Sequence, residues 1–197
     1  MAVIAKYKFN STLYADLIPG FNAEFTNYTV TDEATETDSK GNVIKTRVIE
    51  HDTLLPTYIR FGVAISDIST NRELSLLEVI ELNTTELTNC NRMFIGCKNV
   101  TSINTEGWIL NKVTAMQYMF YKCENLTSLD VSNFDTSNVN TMEAMFYCCN
   151  NLTSLDVSNW NTSKVTVMLY MFHDASGSCA WPWWRPHRLR PQFPRSR

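Results

Sequence analysis

Residues 119–144, MFYKCENLTSLDVSNFDTSNVNTMEA, are followed at once by residues 145–170, MFYCCNNLTSLDVSNWNTSKVTVMLY. The two lines agree at 17 of 26 positions. A fixed period of this length constrains a fold more than composition does, because each unit must bury its apolar face on the next. A Met-Phe pair starts at Met93, Met119, Met145 and Met171, each 26 residues after the last. Residues 73–92, ELSLLEVIELNTTELTNCNR, keep the same register more weakly. Leu74, Leu77 and Val79 fall where Leu152, Leu155 and Val157 fall later, and Asn83-Thr84-Thr85 matches Asn161-Thr162-Ser163. About four units therefore span residues 67–178, degenerate at the start and cut short at the end. End units of a stacked array have one neighbour only, so they are expected to differ.

Within a unit, Leu126-Thr127-Ser128-Leu129-Asp130-Val131 alternates from Leu129 onward. That pattern predicts a short strand with Leu129 and Val131 inward and Ser128, Asp130 and Ser132 outward. Asp135-Thr136-Ser137 then supplies side-chain oxygens suited to starting a helical turn. Val139, Met142, Met145, Phe146 and Cys149 follow at spacings of three, three, one and three, which predicts one apolar face of a short helix. Stacked units of this kind would form a parallel sheet on a concave side and helical segments on a convex side.

The pattern MFxxCxxLTSLDxSNFDTSxVxxM resembles the 26-residue leucine-rich repeat of BspA-like bacterial surface proteins, a family also found in mycoplasma and in phages of gut Firmicutes. The resemblance covers roughly residues 67–176. It implies an α/β leucine-rich-repeat solenoid used for attachment and protein contact, and it carries over no catalytic residue and no cofactor. This chain shows neither the export signal nor the lipid anchor usual in cell-surface members, which shifts the expectation from a cell envelope toward a virion or phage tail. Residues 1–66 do not repeat. Val3, Ala5, Tyr7 and Phe9 alternate with polar positions, as do parts of Tyr28–Thr31 and Val43–Ile49, with the turn signal DSKGN at 38–42 between the latter two. Thr57–Ile65 reads as a further strand with Pro56 at its edge. The expected organisation is a β-rich N-terminal domain over residues 1–66 that covers the open end of the array, the repeats over 67–178, and an atypical tail over 179–197.

The tail, CAWPWWRPHRLRPQFPRSR, holds five Arg and no acid. Without it the chain has 12 basic and 20 acidic side chains, a balance of −8 that argues against nucleic-acid binding. The tail reads as a frameshift or chimeric join, or as a makeshift cap in which Trp181 and Trp183 fall 26 residues after Leu155 and Val157. The start, MAVIAKYKFN, has no signal-peptide pattern, and no apolar run is long enough to span a membrane. The expected location is therefore virion-associated or cytoplasmic rather than exported.

A 26-residue period converts single residues into ladders. Cys97, Cys123 and Cys149 form one, continued by Ala175; because alanine cannot ligate, core packing is expected and no metal. Cys148 is expected to face outward. Trp108, Phe134 and Trp160 form an aromatic ladder, also expected in the core. Ser102, Asn104, Ser128, Asp130, Ser132, Ser154, Asp156 and Ser158, preceded by Glu78, form a polar row on the outward side of the strands. That row is the candidate ligand-binding face, although a solvated face with local Asx-type hydrogen bonds is the preferred explanation. His51, His173 and His187 lie in three regions with no nucleophile at a known spacing, and no phosphate-binding or metalloprotease motif occurs. The sequence thus points to a non-enzymatic protein-binding or adhesion module whose partner is a protein or glycan on a host or cell surface. The alternative is a structural or receptor-binding subunit of a phage tail or virion, self-assembling or docking through the N-terminal domain.

Overall fold

The computed structural model describes residues 2–12, 18–21, 25–51, 55–61 and 75–175. Its strands are β1 (Ala2–Asn10), β2 (Gly20–Phe21), β3 (Thr29–Thr37), β4 (Val43–His51), β5 (Ile59–Arg60), β6 (Leu76–Leu82) and β7 (Ser102–Ile103). A five-stranded sheet runs β3-β4-β1-β6-β7, and β2 pairs with β5 apart from it. Alternation in β1 puts Ala5, Tyr7 and Phe9 wholly inside. Ile4 is buried as well, because the register against β4 shifts between Val3 and Ala5.

The DSKGN signal forms the β3–β4 turn. Asp38 Oδ1 accepts from the amides of Lys40 and Asn42 at 2.8 and 2.9 Å, and Gly41 takes the left-handed backbone the turn requires, with φ of 81°. All nine residues of β3 are exposed, so burial contributes nothing to holding it. Ladder hydrogen bonds to β4 and ion pairs do that instead. Arg47 Nε lies 2.6 Å from Asp32 Oδ1, Lys45 Nζ lies 2.9 Å from Oδ2, and Lys6 reaches Glu33 at 2.7 Å. The two cations on Asp32, led by the Arg47 hydrogen bond, hold its carboxyl down at about 2.

β6 lies where the first, degenerate unit was expected, and it pairs antiparallel with β1 and parallel with β7. One core therefore runs from the N-terminal strands into the repeats. Phe61 meets Tyr7 edge-on at 5.1 Å and stacks on Phe94 at 5.5 Å. The segment around β5 is layered on the first strong unit: Tyr58 bridges Asn89, Thr88 donates to the Thr57 carbonyl, and Phe61 donates to the Met93 carbonyl. Of the strand expected over Thr57–Ile65, residues 62–65 lie outside the described residues, as does the whole tail 179–197 with Cys179, Trp181 and Trp183.

The expectation of an α/β leucine-rich solenoid is overturned. Among the described residues no helical element occurs, and only Ser75 is helical. The regular sheet is mixed, antiparallel at β3–β4, β4–β1 and β1–β6, and parallel only at β6–β7. The segments expected as helices are runs of turns. Two left-handed residues recur in each unit, four apart: Arg92 and Gly96, Tyr118 and Lys122, Ala144 and Cys148, Tyr170 and Asp174. A right-handed helix cannot pass through such residues. The reason is where the amides go. Cys90, Arg92, Phe94 and Gly96 donate to the carbonyls of Ala115, Gln117, Met119 and Tyr121, one unit ahead. Met116, Tyr118, Phe120 and Lys122 repeat this to the unit of Thr141, and Met142, Ala144, Phe146 and Cys148 to that of Val167. The amides between them close tight turns, as Met93 does to Cys90 and Ile95 to Arg92. Every second donor is thus diverted to a neighbouring unit, and no i→i−4 ladder can form.

The opposite side of each unit departs from expectation differently. Leu126, Leu129 and Val131 are buried, while Thr127, Ser128, Asp130 and Ser132 are exposed, so the facing follows the alternation. A strand exists there only in β6 and β7. Farther along, the Ser132 amide turns back to Asp130 Oδ1 at 2.9 Å, and the link between the next two units is a long contact from Thr153 N to the Thr127 carbonyl at 3.5 Å. The same turn at Asn104 and Glu106 coexists with the β6–β7 pairing, so it is the inter-unit backbone bonds, not the turns, that distinguish these units.

Candidate functional site

Three ring and thiol columns fill the space between the two sides. Phe61, Phe94, Phe120, Phe146 and Phe172 stack at 5.3–5.5 Å with interplanar angles of 11° or less. Trp108, Phe134 and Trp160 form a second column, with Trp108 and Phe134 buried and Trp160 half-buried. Trp160 donates to the Val131 carbonyl at 3.1 Å. Trp108 Nε1 is buried with no acceptor; the corresponding carbonyl, on Val79, takes the Asn104 amide at 2.9 Å. Cys97, Cys123 and Cys149 are fully buried; the Cys123 and Cys149 thiols donate to the carbonyls of Phe94 and Phe120 at 3.2 and 3.1 Å. Burial pushes the Cys149 thiol up to about 12. Cys148 is half-buried, and partial burial raises it too, so it is not an activated nucleophile.

The polar row lies where the alternation put it: Ser102, Asn104, Ser128, Asp130, Ser132, Ser154, Asp156 and Ser158 are all exposed on the strand side. Its strongest acceptors, however, already have partners in their own turns. Asn104 Oδ1 accepts from the Glu106 amide at 3.0 Å and its Nδ2 donates to the Ile80 carbonyl at 3.0 Å. Asp130 and Asp156 accept from the amides of Ser132 and Ser158, both at 2.9 Å. Those serines hold both carboxyls below the usual carboxylate range, mainly through their side-chain hydrogen bonds. Glu78 at the head of the row faces Lys8 at 3.6 Å. Among the described residues, no three acidic, His or Cys side chains converge on a point.

The turn side presents a surface that sequence reasoning missed. Tyr121, Tyr147 and His173 form an outer column, stacked at 5.0 and 5.1 Å with interplanar angles of 16° and 4°. Tyr118 and Tyr170 stand edge-on beside it, each 5.7 Å from Tyr121 or His173. The rings are half-buried at Tyr118, Tyr121 and Tyr147, while Tyr170 is 61% exposed and its neighbour Leu169 63%. Tyr118 donates its hydroxyl to Glu143 at 2.8 Å. Cations of the chain lie over two of the rings: Arg92 at 5.6 Å from Tyr118 and Lys122 at 5.5 Å from Tyr121. Burial raises the hydroxyl pKa of Tyr118, Tyr121 and Tyr147, so all three stay neutral well into the alkaline range. The inter-unit hydrogen bonds run through these same turns, so the rings sit on fixed backbone. The sequence signal was present in the residue after the last three Met-Phe pairs: Tyr121, Tyr147 and His173, where the first has Ile95.

A cavity of about 370 Å³ lies between the β3–β4 turn and the first unit, lined by Asp38, Lys40, Leu77 and Asn99 among others. The Asp38 carboxylate is already taken by Asn42 and Lys40, which leaves the cavity no convergent charged group. No helix is long and apolar enough to cross a membrane among the described residues.

The family described as "Mycoplasma protein of unknown function, DUF285" matches residues 72–178, more than half of the chain and nearly the whole repeat region. No curated protein and no solved structure matches.

Proposed function

The chain belongs to the DUF285 family, which is associated with BspA-like repeat proteins, and from that premise we propose that it is a non-enzymatic protein-binding module. The observation that carries this reading is the stacked, half-exposed tyrosine strip on the turn side. Tyrosine is a favourable contact residue because it offers large amphipathic area at low conformational cost. Here even that cost is reduced, since neighbouring rings and inter-unit hydrogen bonds hold each ring before a partner arrives. The Ser102–Ser158 row is the weaker candidate, because binding there would compete with turns that already use its carboxylates. The BspA-like likeness supports a partner on a host or cell surface, whether protein or glycan.

A second reading, a structural or receptor-binding subunit of a phage tail or virion, is favoured by β3. Nine exposed residues at a sheet edge leave a row of backbone groups through which the N-terminal strands could dock to a particle.

The test compares binding of the full chain to arrayed host-surface proteins and glycans with two double variants. Tyr121→Ser with Tyr147→Ser should lose the bound partner while retaining a cooperative melt. Asp130→Ser with Asp156→Ser should retain it. Loss in the second variant alone would move the site to the strand side.

A further inference from the structure

We propose that the C-terminal half of the tyrosine strip, Tyr147, Tyr170 and His173 beside Asp174, binds an arginine-bearing segment of a protein partner. The inference rests on the binding-module reading and narrows it to a class of ligand.

The strip itself supplies the precedent. In its N-terminal half the rings already hold cations, Arg92 over Tyr118 and Lys122 over Tyr121. Advancing by whole units, the position of Arg92 becomes Tyr118, Ala144 and Tyr170, and that of Lys122 becomes Cys148 and Asp174. The rings therefore continue along the strip while the cations stop. Among the described residues, no Lys or Arg lies over Tyr147 or Tyr170. In the place of a third tyrosine, His173 stacks flat on Tyr147, and Tyr170 stands at 79° to it, so the rings form a corner rather than a plane. Asp174 is at the rim, its carboxylate 3.0 Å from His173 Nδ1 and its side chain 60% exposed.

A guanidinium suits this corner. It is planar and weakly hydrated, stacks on an aromatic face, and presents its N–H edge to a carboxylate at the same time. The basic groups nearby do not fill the role: Lys122 is over Tyr121, and Lys98 is paired with Glu124 at 3.2 Å. Leu169 and Tyr170 are the most exposed large apolar side chains among the described residues, and they give the aliphatic stem of an arginine a surface to cover.

The probe is a short peptide of alternating Gly and Arg, titrated into the full chain by isothermal calorimetry, with Gly-Lys and Gly-Glu peptides as comparisons. The Arg peptide should bind, the Lys peptide more weakly, and the Glu peptide not at all. Tyr170→Ala and Asp174→Asn should each weaken the Arg peptide about two- to fivefold, the size of an exposed cation–π or ion-pair contact. Both positions are exposed, so melting temperatures should change little. Equal binding by Tyr170→Ala, or binding of the Glu peptide, overturns the proposal. The chain's own Arg185, Arg188, Arg190, Arg195 and Arg197 share the ligand's chemistry. Unchanged affinity when these five are replaced by Gln supports a partner in trans, whereas binding that appears only after their replacement makes the tail the occupant and overturns it. Failure of the Arg peptide together with loss of the host-surface partner in Tyr121→Ser with Tyr147→Ser would leave the binding module standing and remove the cation assignment alone.

Discussion

The two sides of the repeat region carry the same 26-residue period and use it differently. On the turn side, four inter-unit hydrogen bonds recur at each of three successive junctions, from Cys90, Met116 and Met142 onward, and the Phe94–Phe120–Phe146 column stacks without interruption. On the strand side, regular pairing ends after β7, and only the local turns at Asn104, Asp130 and Asp156 recur from unit to unit. Identical sequence periodicity therefore does not mean equal structural continuity. The side whose backbone is bonded from unit to unit can hold exposed rings rigidly, while the side whose polar groups bond to themselves presents a satisfied, solvated face.

The largest test of this contrast is truncation of one inward residue on each side. Phe120→Ala should cost about 3–5 kcal/mol, because it removes a fully buried ring and both of its stacking partners' contacts. Leu129→Ala on the strand side should cost about 2–4 kcal/mol, at the lower end of the range for a buried leucine since its site is slightly open. Urea melts would compare them. Equal or reversed costs would mean that the strand side contributes as much continuity as the turn side.

A smaller effect of opposite sign is expected at the left-handed positions. Lys122 has φ of 57°, and the equivalent residue one unit earlier is Gly96, with φ of 72°. Lys122→Gly should stabilise by roughly 0.5–1 kcal/mol as the backbone penalty is relieved, less what the cation over Tyr121 contributed. A loss of stability would show that the left-handed conformation carries little strain there, or that the cation matters more.

The smallest effect concerns acid. Asp130 and Asp156 have carboxyls held below their unfolded range, so their contribution is present above the ordinary carboxylate pKa and fades as pH falls through the depressed folded values. Replacing both by Asn, which keeps a turn-forming acceptor, should flatten a slight fall in melting temperature below about pH 4. Asp32, held at about 2 by Arg47 and Lys45, should keep its own acid dependence in that variant, which separates the repeat from the N-terminal sheet.

How much of this was legible follows from what each signal encodes. The period, the inward facing of Leu129 and Val131, the buried Cys97–Cys123–Cys149 ladder and the Asp38–Asn42 turn were all readable, because burial and turn chemistry act on single residue types at fixed spacing. The helix expectation failed because spacings of three, one and three among Met142, Met145, Phe146 and Cys149 fit successive tight turns as well as a helix face. Only the destination of the amides distinguishes the two, and that is a property of neighbouring units. Gly96, standing where later units carry Lys122, Cys148 and Asp174, was the one local sign of a left-handed position. The spacing of the tyrosine strip was in the sequence as well, with Tyr118 and Tyr121 three apart and Tyr121, Tyr147 and His173 at intervals of 26. Which of these rings remain at the surface depends on the course of the turns.

The most direct measurement is of scalar couplings through hydrogen bonds in isotopically labelled protein, which correlate an amide nitrogen with the carbonyl carbon that accepts from it. The nitrogens of Tyr118, Phe120 and Lys122 should correlate with the carbonyls of Glu143, Met145 and Tyr147, one unit ahead. Correlation of Phe120 with the carbonyl of Met116, four residues earlier in its own unit, would restore a helix and contradict the account.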